Sequence, residues 1–215
     1  MLIKIDPAKR NLIVVSTYNR QDLTALCLDS IAKNKSPRSS VVILDDASTQ
    51  YTKEWLEQWG WQVIRREETI GVGMASRARF SRAAESPDGF GFFVLVDSDV
   101  TFGQDFDARM RSICEGVPYG SLVSGYRSVA YDVVERFPDY VQVKRVGGAC
   151  LGLTRSTAQT VLAELDWTTL WDQDTGKFNC YCPRRSLAQH LGTSGTGQNG
   201  LSWDVAFDFV GEGLW

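Results

Sequence analysis

The chain has 215 residues, of which 43% are hydrophobic and 23% charged, enough to bury a full core as one globular domain. A net charge of −3 leaves no global positive field, so nucleic acid is not the expected partner, although a local basic groove stays open to it. The opening residues MLIKIDPAKRNLIVV lack the basic region, long apolar core and small-residue cleavage site of a secretion signal. No uncharged apolar run approaches the ~18 residues of a membrane span. A cytoplasmic protein without stable membrane insertion is expected. Five cysteines make no dense disulfide framework. Cys180 and Cys182 could form half of a zinc site, but Cys27, Cys114 and Cys150 offer no second pair at zinc-finger spacing.

Leu12 to Ser16 reads as a buried strand. After the turn-like Tyr18-Asn19-Arg20, residues Leu23, Leu26, Leu28 and Ile31 fall at roughly helical spacing between Asp22 and Asn34, and Ser36-Pro37 stops that helix. Val41 to Leu44 is a second strand, Thr52 to Trp59 a second helix and Trp61 to Ile64 a third strand. Gly71 and Gly73 open a helix through Arg77, Arg79 and Arg82, and the apolar run Phe92 to Val96 is a fourth strand. This alternation predicts an α/β fold with a mainly parallel central sheet flanked by helices. Beyond Asp99 the rhythm loosens. A helix is expected at Phe106 to Glu115, strands within Ser121 to Val134 and Val141 to Leu153, and a helix at Thr157 to Leu165. Gly192 to Gly200 has the composition of a flexible loop.

In an open parallel sheet, ligands bind outside the carboxyl ends of the strands. Three strand ends deliver polar groups there: Ser16-Thr17-Tyr18, Asp45-Asp46 and Asp97-Ser98-Asp99. Tyr18 offers a ring for stacking on a base, Asp46 an acceptor for a base imide, and Asp97 and Asp99 oxygen ligands for a hard divalent cation. Such a cation would neutralise a diphosphate. Taken singly, each acidic pair is also an ordinary turn or helix cap; their convergence on one edge is what points to a site. Gly71 to Arg79 leads from loop into helix, so its free N–H groups and arginines suit an anion.

The segments VVSTYNR, VVILDDAST, GVGMASRARF and FVLVDSDV, in that order and spacing, resemble the family 2 glycosyltransferases of the GT-A fold. The resemblance implies a single GT-A (Rossmann-like) domain, with residues 1–100 the nucleotide-sugar-binding half and 101–215 the acceptor-binding half. It implies a donor site of Ser16, Thr17, Tyr18, Arg20, Asp46, Asp97 and Ser98, with Asp99 binding Mn2+ or Mg2+. Phe80 stands where that family often has Asn, so either Arg77 or Arg79 takes the place of the family's arginine.

In the second half, GGACLGLTRS resembles the segment that shapes the acceptor side, with Gly147 and Gly148 allowing close backbone approach. LWDQD resembles the position of the acidic catalytic residue. Asp172 is the expected base for the acceptor hydroxyl, with Asp174 in reserve. CPRRSLAQHLG resembles a common family ending, which makes His190 a candidate third metal or phosphate group beside Asp97 and Asp99. The tail with Trp203, Asp204, Phe207 and Trp215 is read as a closing lid.

The resulting expectation is an inverting, metal-dependent transfer from a UDP-sugar. The acceptor would be a glycan or lipid-linked saccharide, with protein or a modified DNA base as further options. A nucleotidyltransferase is the rival enzyme reading, but its usual phosphate loop is here VSTYNR. A nucleotide-sugar-binding module without turnover is the non-enzymatic rival.

Overall fold

The computed structural model describes residues 2–128, 130–168 and 171–191. The glycine-rich stretch from Gly192 and the residues expected to form a lid, Trp203, Asp204, Phe207 and Trp215, lie outside them.

The first half runs β1 (Arg10–Thr17), α1 (Gln21–Asn34), β2 (Ser39–Asp45), α2 (Lys53–Glu57), β3 (Gln62–Arg65), α3 (Gly71–Ala84) and β4 (Phe90–Asp97), the predicted alternation. These strands lie in the order β3-β2-β1-β4, all parallel. Then come β5 (Val100–Phe102), α4 (Phe106–Gly116), β6 (Leu122–Ser124), β7 (Val133–Arg136), β8 (Tyr140–Val143), β9 (Cys150–Leu153) and α5 (Arg155–Glu164). A 3-10 helix (Trp171–Lys177), β10 (Cys180–Pro183) and β11 (Ala188–His190) complete the described chain.

One nine-stranded sheet carries both halves, continuing past β4 as β9-β6-β10-β8-β7. In that extension only β6 and β10 pair in parallel. β5 and β11 form a separate two-stranded ribbon.

The continuous apolar runs of β1 and β4 follow from coverage on both faces. Ile13, Val15, Phe92, Val94 and Val96 pack with Cys27, Leu28 and Ile31 of α1 and with Phe106 and Met110 of α4. The alternate residues Leu12, Val14, Phe93 and Leu95 pack with Phe80 of α3 and with Ala158 and Val161 of α5. α2 and α5 begin at threonine caps: Thr52 Oγ1 accepts from Trp55 N at 3.2 Å and Thr154 Oγ1 from Thr157 N at 3.3 Å.

At the end of the sheet where β1 begins, the wholly buried Asp107 of α4 ties three elements together. Its carboxylate accepts from Asn11 Nδ2 at 2.7 Å, Ser36 N at 2.8 Å, Ser36 Oγ at 2.9 Å and Ser39 Oγ.

All five cysteines are free and buried. Burial pushes the thiols of Cys114, Cys150 and Cys180 up to about 12 and those of Cys27 and Cys182 upward as well. Ellman's reagent at pH 8 is therefore expected to find no fast-reacting thiol in the native protein and all five after unfolding in guanidinium chloride. Rapid reaction of one native thiol would contradict this packing.

Candidate active site

Strand register assembles the edge that the sequence points to. Ser16 lies beside Asp97 and Leu44, Thr17 beside Asp45, and Asp45 beside Arg65. Thr17 is buried and its Oγ1 donates to Asp45 Oδ1 at 2.9 Å, so its side chain serves the interior network rather than the cleft expected of a donor-binding residue. Asp45 also accepts from Ser48 and pairs with Arg65 Nη1 at 3.3 Å. Tyr18 stays 42% exposed, which leaves its ring available for stacking. Asp46 is buried and acts as a remote cap for α3. Its oxygens accept from Ile70 N at 3.0 Å, Gly71 N at 3.3 Å and Thr69 Oγ1 at 2.7 Å.

The loop after β1 is held in an unusual backbone. Asn19 and Arg20 both have φ near 53°, the left-handed region that non-glycine residues rarely adopt. Asn19 overdetermines it: its N–H donates to Ser48 Oγ, and its Oδ1 accepts from the N–H groups of Thr49 and Gln50. The consequence is a fixed direction for Arg20, whose Nη1 donates to Asp99 Oδ2 at 2.7 Å.

Asp99 sits in the turn between β4 and β5. β11 runs antiparallel to β5, with His190 opposite Val100, and Leu191 N donates to Asp99 O at 2.7 Å. That ribbon carries His190 Nε2 to 3.2 Å from Asp99 Oδ1. Burial alone would raise the Asp99 carboxyl; His190 and Arg20 outweigh it and hold it at about 2.

Asp97 faces a different cation. Arg79 Nη1 lies 2.6 Å from its Oδ1, and Arg79 Nη2 donates to Ser76 Oγ at 3.0 Å. Crowding by protein raises the Asp97 carboxyl, with Arg79 opposing and Asp99 adding to the rise. Its side chain keeps 37% exposure, so solvent tempers that rise. Arg79 is 1% exposed whereas Arg77 points to solvent, so Arg79 is the arginine that reaches the acidic turn. Ser98 is buried between the two carboxylates.

Asp97, Asp99 and His190 thus gather at one turn without forming a ready cage. Among the described residues, no three His, Cys, Asp or Glu side chains are set to hold an ion by themselves. The site still fits a shared ion. Asp99 Oδ1 is buried without a well-directed hydrogen bond, despite the nearby imidazole. Arg79 Nε is also buried without one, while its Nη1 is held by Asp97. A buried carboxylate oxygen with lone pairs to spare suits a hard cation, and buried guanidinium donors suit an anionic oxygen.

The two candidate bases separate. Asp174 is exposed and pairs with Lys177 Nζ at 2.9 Å, as a surface carboxylate would. Asp172 is half-buried and leans on the glycine pair: a Cβ at Gly147 would stand 3.8 Å from Asp172 Oδ2. At Gly148 a Cβ would meet Trp171 Cζ2 at 2.4 Å, so the close approach at Gly148 is to that indole. Ala149 O accepts from Asp97 N at 2.8 Å, which sets the glycine pair beside the acidic turn. Tyr126 and Tyr131 also face Gly147, and neither was singled out by the sequence. A pair of aromatic residues in a loop of irregular rhythm carries no periodic signal.

The model of glycosyl transferase family 2 matches residues 12–146, more than half of the chain. The chain belongs to glycosyl transferase family 2. This family 2 chain is 30% identical over 125 residues to an undecaprenyl-phosphate mannosyltransferase of Micrococcus luteus, across 56% of this chain and 49% of that protein. It therefore spans about half the length of that relative.

The solved structure of GalNAc-T7 with UDP, GalNAc and Mn2+ is similar at a TM-score of 0.63 and 10% identity, covering 83% of this chain and 43% of that one. The mannosyltransferase PcManGT from Pyrobaculum calidifontis, in complex with GDP-Man and Mn2+, is similar at a TM-score of 0.54 and 18% identity, covering 79% and 52%. At these identities the likeness shows the fold, which is that of GT-A glycosyltransferases.

Proposed function

We propose that this protein transfers a sugar from a UDP-sugar to an acceptor hydroxyl by direct displacement with inversion, assisted by Mn2+ or Mg2+ at Asp99. The observation that carries this reading is the gathering of carboxylates and cationic groups at one sheet edge. Asp97 and Asp99 bring two carboxylates to one turn, and Arg79, Arg20 and His190 flank them, a charge arrangement suited to a cation with its diphosphate. Bound there, the divalent cation would neutralise charge on the diphosphate leaving group.

The chain's own residues do the rest. Tyr18 stacks on the base and Asp46 orders the α3 N-terminus beside it. Arg20 and Arg79 bring positive charge to the phosphates. Asp172 takes the acceptor proton as the hydroxyl attacks the anomeric carbon. Asp174, committed to Lys177 at the surface, is the weaker choice for that role. A glycan or lipid-linked saccharide is the acceptor class, and the protein works in the cytoplasm.

Calorimetric titration with UDP- and GDP-linked sugars, with and without Mn2+, tests the donor. UDP-sugars are expected to bind, about tenfold or more tightly with Mn2+. Binding that ignores the metal would remove the cation from the site. Preference for GDP-sugars would correct the nucleotide, and no binding of any nucleotide sugar would sink the reading.

A further inference from the structure

The two loops that follow β1 and β2 hold left-handed backbones at residues other than glycine. Asn19 and Arg20 have φ of 53° and Ala47 has φ of 60°. A short polar side chain such as that of Asn finds local hydrogen bonds in this conformation, but Arg and Ala gain nothing from it by themselves. Such strain persists only where the surroundings impose it. Asn19 imposes it on its neighbour. Its Oδ1 accepts from Thr49 N at 2.8 Å and Gln50 N at 3.2 Å, and its N–H donates to Ser48 Oγ at 2.8 Å. Its carbonyl oxygen accepts from Tyr51 Oη and from Thr24 Oγ1, each at 3.2 Å. Asn19 is thereby tied on one side to the loop after β2 and on the other to α1. The next residue has little freedom left: Arg20 O accepts from Thr24 N at 2.9 Å, and Arg20 Nη1 donates to Asp99 Oδ2 at 2.7 Å.

We propose that Asn19 is a positioning residue for the donor diphosphate, acting through Arg20: it holds the left-handed pair that aims the Arg20 guanidinium at the acidic turn before the nucleotide arrives. This rests on the donor reading above, in which Arg20 serves the phosphates. An arginine side chain left to sample many directions must be immobilised when a phosphate binds, and that ordering cost weakens affinity. A guanidinium already fixed beside Asp99 avoids most of it. The benefit belongs only to ligands that carry phosphate, since a bare nucleoside offers Arg20 no anionic oxygen. A clamp that merely stiffened the two loops would act differently. It would help nucleoside and nucleotide alike, and its effect would not depend on the Arg20 charge.

Asn19→Ala removes the Oδ1 acceptor and the tolerance for a left-handed backbone. Asn19→Asp keeps both, because Asp presents a carboxylate oxygen and is itself enriched in that region. Asn19→Gly allows the backbone but lacks the amide, so it carries the same expectation as Asn19→Ala should the latter fail to fold. Three measurements decide the matter. In the nucleotide-free protein, the guanidinium 15N–1H signal of Arg20 is expected to be sharp in wild type and Asn19→Asp, and broadened in Asn19→Ala. An unchanged signal in Asn19→Ala would overturn the proposal. In titrations with UDP plus Mn2+ and with uridine, Asn19→Ala should weaken UDP about tenfold and change uridine by less than about twofold, with Asn19→Asp restoring most of the UDP affinity. Equal loss for the two ligands would reduce Asn19 to a loop stabiliser. In an Arg20→Met background, Asn19→Ala should cost UDP less than a further factor of about two, as for two residues acting in series. A full tenfold loss there would also overturn the proposal. Absence of UDP binding to the intact protein, with the Arg20 signal still dependent on Asn19, would strike the donor reading and not the clamp.

Discussion

Asp99→Ala should remove Mn2+-dependent tightening of nucleotide-sugar binding and lower transfer by roughly a thousandfold or more, in line with losing a principal charge-stabilising group. The substitution deletes both contacts at the turn, Arg20 on Oδ2 and His190 beside Oδ1. Arg20 keeps 29% side-chain exposure and can rehydrate, so the fold should survive with a small change in melting temperature. Calorimetry with and without Mn2+, run beside the melting curve, separates loss of the site from loss of the fold. Retained metal dependence in Asp99→Ala would move the ion to another group. Arg20→Met makes a useful contrast. In the nucleotide-free protein Arg20 already neutralises Asp99, so its removal should raise Mn2+ affinity while weakening nucleotide binding.

The second large effect lies far from the acidic turn. Asp107→Ala is expected to destabilise the protein by roughly 3–5 kcal/mol, because it strands several buried donors at once. Asn11 Nδ2 and Ser36 N lose their acceptor, and the hydroxyls of Ser36 and Ser39 are left with only each other. At about 2–4 °C per kcal/mol for a chain of this size, the melting temperature should fall by roughly 6–20 °C. Thermal denaturation followed by circular dichroism measures it. A fall of under about 2 °C would mean that water replaces the carboxylate. Nucleotide-sugar affinity of the folded fraction should not change, since Asp107 holds α4 against the start of β1 and the start of β2.

These two aspartates show what could be read in the sequence. Asp99 was legible because it ends a continuous apolar run in step with Ser16 and Asp46, and strands that pair in register must deliver their ends to one edge. Asp107 was not. Inside a helical pattern it looks like any solvated acid, and its partners at 11, 36 and 39 meet it only through folding.

The sequence by itself determined the alternating first half, the parallel strands β1 to β4 and the polar edge, because periodicity and strand ends are local properties. Only the tertiary structure sets Arg79, and not Arg77, beside Asp97, since the two differ by half a helical turn and face opposite ways. It likewise separated Asp172, held beside Gly147, from Asp174, paired with Lys177 at the surface. It also set His190 beside Asp99 through the β5–β11 ribbon and gathered Tyr126 and Tyr131 at Gly147. Those contacts join residues tens of positions apart, and nothing in a local window encodes which distant backbone a short strand or a loop tyrosine will meet.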